Sequence, residues 1–237
     1  KQSQNIKSNN KSNKVSDLEF RISNLEAALP LLHTDAAQSF QYLDCRPAEL
    51  GIDLMTLSAH KIYGPKGVGA LYANKAAREV MRPVVAGSGQ ENGLRSGTEN
   101  VPGVVGFGKA VEVAGKIREK EAARVLDLRD YFWKELRTKL RNKVAINGSL
   151  DDRLPNNLNI YFPGHNAHDL LIRFDLLGVS VSPGAACSTR VSQASYVLEA
   201  MGFPPDRASG SLRFSLGRQT KKSDIDYVIS VIMKVLG

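Results

Sequence analysis

The chain has 237 residues, 42% hydrophobic and 24% charged, a globular composition with enough length for one or two domains and a real core, which excludes a wholly disordered chain. No window approaches the roughly 18–20 uninterrupted apolar residues of a membrane span and no apolar signal core opens the sequence, so a cytoplasmic protein with no membrane partner is expected. Lys+Arg (32) exceed Asp+Glu (24) to give a net charge of +8, and four of those charges, Lys1, Lys7, Lys11 and Lys14, fall in residues 1–16.

Residues 1–16 contain no acid and two aliphatic side chains, Ile6 and Val15, which predicts a disordered basic and polar tail. The tail lacks interleaved aromatics and any docking motif, so no nucleic-acid partner is indicated. Residues 18–29 have the spacing of a short helix stopped at Pro30. Apolar runs leading into 33–38 and over 52–57 predict two buried strands ending in polar groups. A third strand is expected at 68–72, framed by Gly64, Pro65 and Gly67. Glycines 87, 89, 93 and 97 punctuate a loop, after which Val104, Phe107, Val111 and Ala114 recur at helical spacing. A second helix continues through Val125, Leu128, Phe132, Leu136 and Leu140, with the charged segment 116–121 expected as a hinge and a domain boundary near 118.

Beyond the boundary the expected order is strand 158–162, helix 167–177, strand 179–182, loop, helix 192–201, strand 211–216 and a final helix. That last helix is expected to be capped by Ser223 with Asp226 three residues on. Alternating strands and helices predict α/β layers.

Chemistry-bearing side chains cluster where apolar strands end. Ser58-Ala59-His60-Lys61 follows one predicted strand and Asp35 ends the preceding one, so both groups could face one crevice at the carboxyl ends of an α/β sheet. A lysine there can form a Schiff base with an aldehyde cofactor, and a carboxylate opposite can keep a pyridine nitrogen protonated. Taken singly, a solvated strand-end lysine and a turn aspartate are the commoner occurrences. The run 64–69 (GPKGVG) lacks phosphate-loop spacing and precedes a strand rather than a helix.

Cys45 and Cys187 lie far apart with no metal-ligand spacing, which argues against a disulfide framework or a zinc site. Cys187 sits in the small-residue segment SPGAACSTR beside Arg190, a setting that offers exposure and a cation to favour the thiolate; it reads as a nucleophile. Cys45 reads as a packing residue. Arg213 alternates with Leu212 and Phe214 along a strand, so its guanidinium faces away from the apolar side, where it could bind a carboxylate through two parallel hydrogen bonds.

Five ordered blocks, HTDAAQS (33–39), DLMTLSAHKIYGPKGVGALY (53–72), GSGQENGLRSGTENVPGVVGFGKA (87–110), SPGAACSTR (182–190) and SLRFSLGRQT (211–220), resemble the cysteine desulfurases, pyridoxal-phosphate enzymes of aminotransferase class V. The resemblance implies the aspartate-aminotransferase-like fold (PLP-dependent transferase, fold type I). It divides the chain into the tail 1–16, a partial pyridoxal-phosphate-binding large domain over 17–117 and a small C-terminal α/β domain over 118–237. It implies that Lys61 holds the cofactor aldehyde and shuttles protons, that Asp35 pairs with the pyridine nitrogen and that Gln38 bonds the phenolic oxygen. Ser58 and His60 would hold the phosphate, joined by Thr98 from the second subunit of a homodimer. Arg213 would bind the carboxylate of L-cysteine, and Cys187 would take its sulfur as a persulfide, leaving alanine.

Pro183 departs from the small residues usual at the base of that cysteine loop. The family's N-terminal half, with its glycine turn at the phosphate, ring-stacking histidine and asparagine, has no counterpart here, so the chain is expected to be the C-terminal part of such an enzyme. The functions implied are sulfur delivery to iron–sulfur clusters or thiolated nucleotides through an acceptor or scaffold protein. A non-catalytic protein-binding remnant and a selenocysteine lyase are the alternatives.

Overall fold

The computed structural model describes residues 30–184 and 195–237. The expected tail, the helix at 18–29 and the cysteine loop with Cys187 lie outside these residues, as does the first part of the helix expected over 192–201. The chain divides into two compact units between Lys116 and Ile117.

The first unit is built on a three-stranded sheet of β1 (His33–Asp35), β2 (Leu54–Ser58) and β3 (Gly69–Ala73), with a single helical turn α1 (Pro47–Leu50) between β1 and β2 and α2 (Lys75–Val80) after β3. β1 and β2 are parallel, with Asp35 opposite Thr56, whereas β3 returns antiparallel, with Gly69 opposite Ser58. The strands were expected to be buried; only Met55 of β1 and β2 is buried, and His33, Asp35 and most of β3 are exposed. The pleat explains this. One face carries Met55, which packs with Ala36, Cys45 and Ile52, while His33, Asp35, Thr56 and Ser58 share the other. Cys45 is buried in that cluster, its Sγ 3.5 Å from the Leu43 carbonyl.

A 3₁₀ turn, Ala59–Ile62, follows β2. Ala59 and Ile62 are buried against Phe107, Ala110 and Ala114, residues of the helix α3 (Val101–Leu140). The expected hinge at 116–121 is absent, and α3 runs unbroken through it. Buried residues recur at 107, 110, 114, 121, 125, 129, 132, 136 and 140, so one stripe crosses the charged segment. The charges lie at helical spacing: Glu112 pairs with Lys109 (2.9 Å) and Lys116 (2.6 Å), and Glu121 with Arg124 (2.8 Å). Such i,i+3 and i,i+4 pairs support a helix. Hydrogen bonds from Lys116 and Lys109 hold the Glu112 carboxyl below its ordinary range.

The second unit has a wholly antiparallel sheet of β4 (Ala145–Ile146), β5 (Asn157–Tyr161) and β6 (Ser211–Ser215). Helices α4 (Ala167–Asp175), α5 (Tyr196–Ala200), α6 (Pro205–Ser209) and α7 (Lys222–Leu236) accompany it. Leu158, Ile160, Leu212 and Phe214 point into a core completed by Phe132, Phe162 and Phe174, the Phe132 and Phe214 rings meeting edge to face at 5.3 Å. The final helix buries Ile225, Ile229, Ile232 and Val235 of its expected apolar face, leaves Val228 of that face half-buried, and buries Val231 as well. Its start differs: Lys221 is the N-cap and Asp224 accepts the Lys221 amide (2.9 Å). Asp226 instead accepts the Tyr131 hydroxyl (2.5 Å), which holds its carboxyl below the ordinary range.

The strand expected over 179–182 reduces to one bridge, Ser182 opposite Arg213. Gly178, at φ +73°, closes α4, and Val179 spends its amide on the Phe174 carbonyl, which removes it from any ladder.

A polar network pins β4 to β6. Asn147, 2% exposed, donates to Asn159 Oδ1 and Ser211 Oγ (both 2.7 Å) and accepts from Arg207 Nε (2.7 Å), which stacks on Phe203. Nearby, Arg129 reaches the Leu150 carbonyl (3.2 Å). Arg153 donates to the carbonyls of Ser149 and Asn147. Burial, then the nearby charge of Arg129, pushes Arg153 below the ordinary guanidinium range.

Two substitutions test this packing. Phe174→Ala, at a fully buried ring, should lower stability by about 3–5 kcal/mol in denaturant titration. A Cβ at Gly64 would stand 3.0 Å from both the Ala110 Cβ and the Ala59 carbonyl. Gly64→Ala should therefore cost about 1–3 kcal/mol, whereas Gly67→Ala, with open space around it but φ +78°, should cost about 1 kcal/mol.

Candidate functional site

β1 and β2 run in the same direction, so their carboxyl ends open on one edge, and the sequence places polar groups there. Asp35 ends β1, exposed, with Oδ1 accepting the Ala37 amide at 2.9 Å. That bond is an Asx turn, which bends the chain away from the sheet and sets Gln38, also exposed, in the turn that follows. Ala36 continues the ladder, its amide 3.0 Å from the Thr56 carbonyl.

At the end of β2, Ser58 Oγ lies 3.0 Å from His60 Nδ1. The 3₁₀ turn buries Ala59 and Ile62 and leaves His60 and Lys61 exposed. This alternation is set by packing: the two apolar side chains face α3, so the two basic ones face out. Tyr63 closes the turn in the left-handed region at φ +66°, its amide bonded to the Ala59 carbonyl. Gly69 begins the return strand where a Cβ would stand 2.7 Å from the Leu57 carbonyl.

Asp35, Ser58, His60 and Lys61 thus share one sheet edge, with Gln38 one turn beyond β1. Thr98 lies in the loop before α3, exposed. That loop is tied to itself: Ser96 bonds the Val85 carbonyl through its amide (3.1 Å) and the Ser88 carbonyl through its hydroxyl (3.0 Å). Arg213 belongs to the second unit. Its backbone is clamped to Ser182 by two hydrogen bonds (2.7 and 3.2 Å), and its Nε is buried with no hydrogen-bond partner among the described residues. Ser182 Oγ in turn donates to the Gly184 carbonyl (2.7 Å). Cys187 lies outside the described residues.

Sequence patterning singles out neither His33 nor Thr56, yet His33 Nε2 is 2.8 Å from Thr56 Oγ1 across the β1–β2 pair. The period-two alternation of β1 places His33 on the face of Asp35.

The donor set at the sheet edge fits pyridoxal phosphate in kind. It offers an exposed carboxylate for a ring N–H, an exposed primary amine for an aldehyde, and a hydroxyl–imidazole pair for a phosphate. Among the described residues no group of three or more His, Cys, Asp or Glu could hold a metal ion, and no helix is long and apolar enough to cross a membrane.

The aminotransferase class-V family matches residues 8–228, beginning inside the 1–16 segment that reads from its composition as a tail. The cysteine desulfurase IscS of Dictyoglomus turgidum is 44% identical over 204 residues, which cover 86% of this chain and 51% of that protein. The NifS-like protein of Rickettsia africae superposes with a TM-score of 0.76 at 32% identity, over 87% of this chain and 53% of that one. SspA, solved in complex with cysteine, superposes with a TM-score of 0.59 at 34% identity, over 84% and 53%. The chain spans about half the length of the curated relatives it matches. Its mixed α/β architecture is part of the fold type I scaffold that these NifS-like structures share, and the chain belongs to the class-V aminotransferase family.

Proposed function

We propose that this chain carries the cofactor lysine, the ring-nitrogen carboxylate and the substrate-binding arginine of a cysteine desulfurase that works with pyridoxal phosphate, acts on L-cysteine as a homodimer in the cytoplasm, and passes sulfur to an acceptor or iron–sulfur scaffold protein. The observation that carries the reading is the gathering of Asp35, Ser58, His60 and Lys61 at one sheet edge. When bound, pyridoxal phosphate supplies an aldehyde that captures the substrate amine and a ring that withdraws electrons from the adjacent carbons.

Each residue then has a distinct task. The Asp35 carboxylate accepts the ring N–H and keeps that nitrogen protonated. Ser58 and His60, already paired to each other, donate to phosphate oxygens, with Thr98 of a second copy completing the set, and Gln38 donates to the phenolic oxygen. Lys61 Nζ would hold the cofactor's aldehyde and, when free, would carry protons to and from the substrate carbons. The buried Arg213 Nε, with no partner among the described residues, supports a role in holding the α-carboxylate, since a guanidinium matches that anion through two parallel bonds. The Cys187 thiolate attacks the sulfur of the bound cysteine: an S–S bond forms as the C–S bond breaks, the bonding pair leaves with carbon, and a proton from Lys61 completes alanine. The sulfur remains on Cys187 as a persulfide until a partner thiol removes it.

Reduction of the cofactor-treated chain with borohydride, followed by peptide mapping, should place the pyridoxyl group on Lys61; finding it on Lys66 sinks the assignment. In the active assembly, Cys187→Ser should abolish alanine formation from cysteine with cofactor absorbance retained, while Cys45→Ser leaves turnover intact. Undiminished sulfide release by the Cys187 variant would mean direct elimination instead. Arg213→Ala should weaken cysteine binding roughly 10- to 100-fold, the worth of a hydrogen bond to a charged group, as read from KM.

A further inference from the structure

One face of the first sheet bears a polar pair that no step above uses. His33 and Asp35 are two apart on β1, so their side chains leave the same face. Thr56 is the registered partner of Asp35 on the parallel neighbour β2, which puts its side chain beside the carboxylate at the strand spacing of roughly 4.8 Å. A threonine hydroxyl so placed is a natural donor to a carboxylate. It does not serve that way here. Thr56 Oγ1 is 2.8 Å from His33 Nε2, and the Asp35 hydrogen bond is the one from the Ala37 amide to Oδ1.

We propose that His33 is a positioning residue that holds the Thr56 hydroxyl off Asp35. The Thr56 O–H donates to His33 Nε2, with the ring proton on Nδ1. The second carboxylate oxygen of Asp35 is thereby left open to a ring N–H. Without the imidazole, rotation of Thr56 to its next staggered well, about 120° away, turns the hydroxyl to the carboxylate, and a ligand must break that bond before it can form its own. This inference rests on the cofactor reading above, since it assigns Asp35 a ring nitrogen to receive.

The test is a set of four versions of this chain, wild type, His33→Ala, Thr56→Val and the double variant, titrated with pyridoxal phosphate and followed by cofactor absorbance. His33→Ala should weaken binding roughly five- to tenfold, the worth of about one net hydrogen bond. Thr56→Val, which has no hydroxyl to compete, should bind as the wild type does. The double variant should recover wild-type affinity, a rescue that loss of folding or of simple packing could not produce. Nitrogen-15 NMR of the unliganded wild type should show the Nδ1–H tautomer at His33, and Thr56→Val should change it.

A double variant as weak as His33→Ala overturns the proposal, as does an Nε2–H tautomer in the wild type. A wild-type chain that binds no pyridoxal phosphate overturns the cofactor reading itself, and is distinguishable because all four chains then fail alike.

Discussion

The candidate site depends on the burial of two small apolar side chains. Ala59 and Ile62 anchor the 3₁₀ turn to α3, and a turn held at those two points has no freedom to choose which way His60 and Lys61 face. The anchoring in turn favours Gly64, because a Cβ there would stand 3.0 Å from the Ala110 Cβ and the turn or helix would have to shift. Functional groups at the end of a strand would ordinarily sit on a loose loop. Here a hydrophobic contact on the far side of the chain gives them a defined orientation at little polar cost, and the Ser58–His60 hydrogen bond is one product of that orientation.

In the second unit the comparable constraint is polar. β6 carries Arg213 between Leu212 and Phe214, and a slip of one residue would turn the guanidinium onto the core face and Leu212 and Phe214 away from it. The register is specified from inside by Asn147, whose amide group bonds Asn159 on β5 and Ser211 on β6 while accepting from Arg207. With its partners in place such a buried amide is satisfied; with β6 displaced it would be stranded. Hydrophobic residues fill the core, and this network decides which alignment of the strands they fill.

Much of this was legible in residue order. Strand ends marked by polar groups, alternation around Arg213 and the helical spacing of the last helix all follow from local periodicity, and these are what bring Asp35, Ser58, His60 and Lys61 to notice. What periodicity missed has identifiable causes. The segment 116–121 reads as a break because it is charged, but Lys109, Glu112 and Lys116 fall on one helix surface, so charge density supported the helix it was expected to interrupt. β4 is two residues long and is held by the side chain of Asn147, a tertiary contact with no sequence period. Strand direction in the second sheet also depends on tertiary pairing. The His33–Thr56 bond needs strand register, and register between β1 and β2 spans a loop whose length alone does not set it.

The loop that joins β4 to β5 is fastened mainly by guanidinium groups on backbone carbonyls: Arg153 on Asn147 and Ser149, Arg129 on Leu150. Neither kind of partner changes its protonation in the acid range. The surface of α3 is different, because its pairs run through carboxylates such as Glu112, whose lowered value means that they persist above it and are lost as pH falls through it. Acidification therefore removes the exposed carboxylate pairs on α3 and leaves in place the guanidinium–carbonyl bonds of the β4–β5 connection, one of which Arg129 makes from α3 itself.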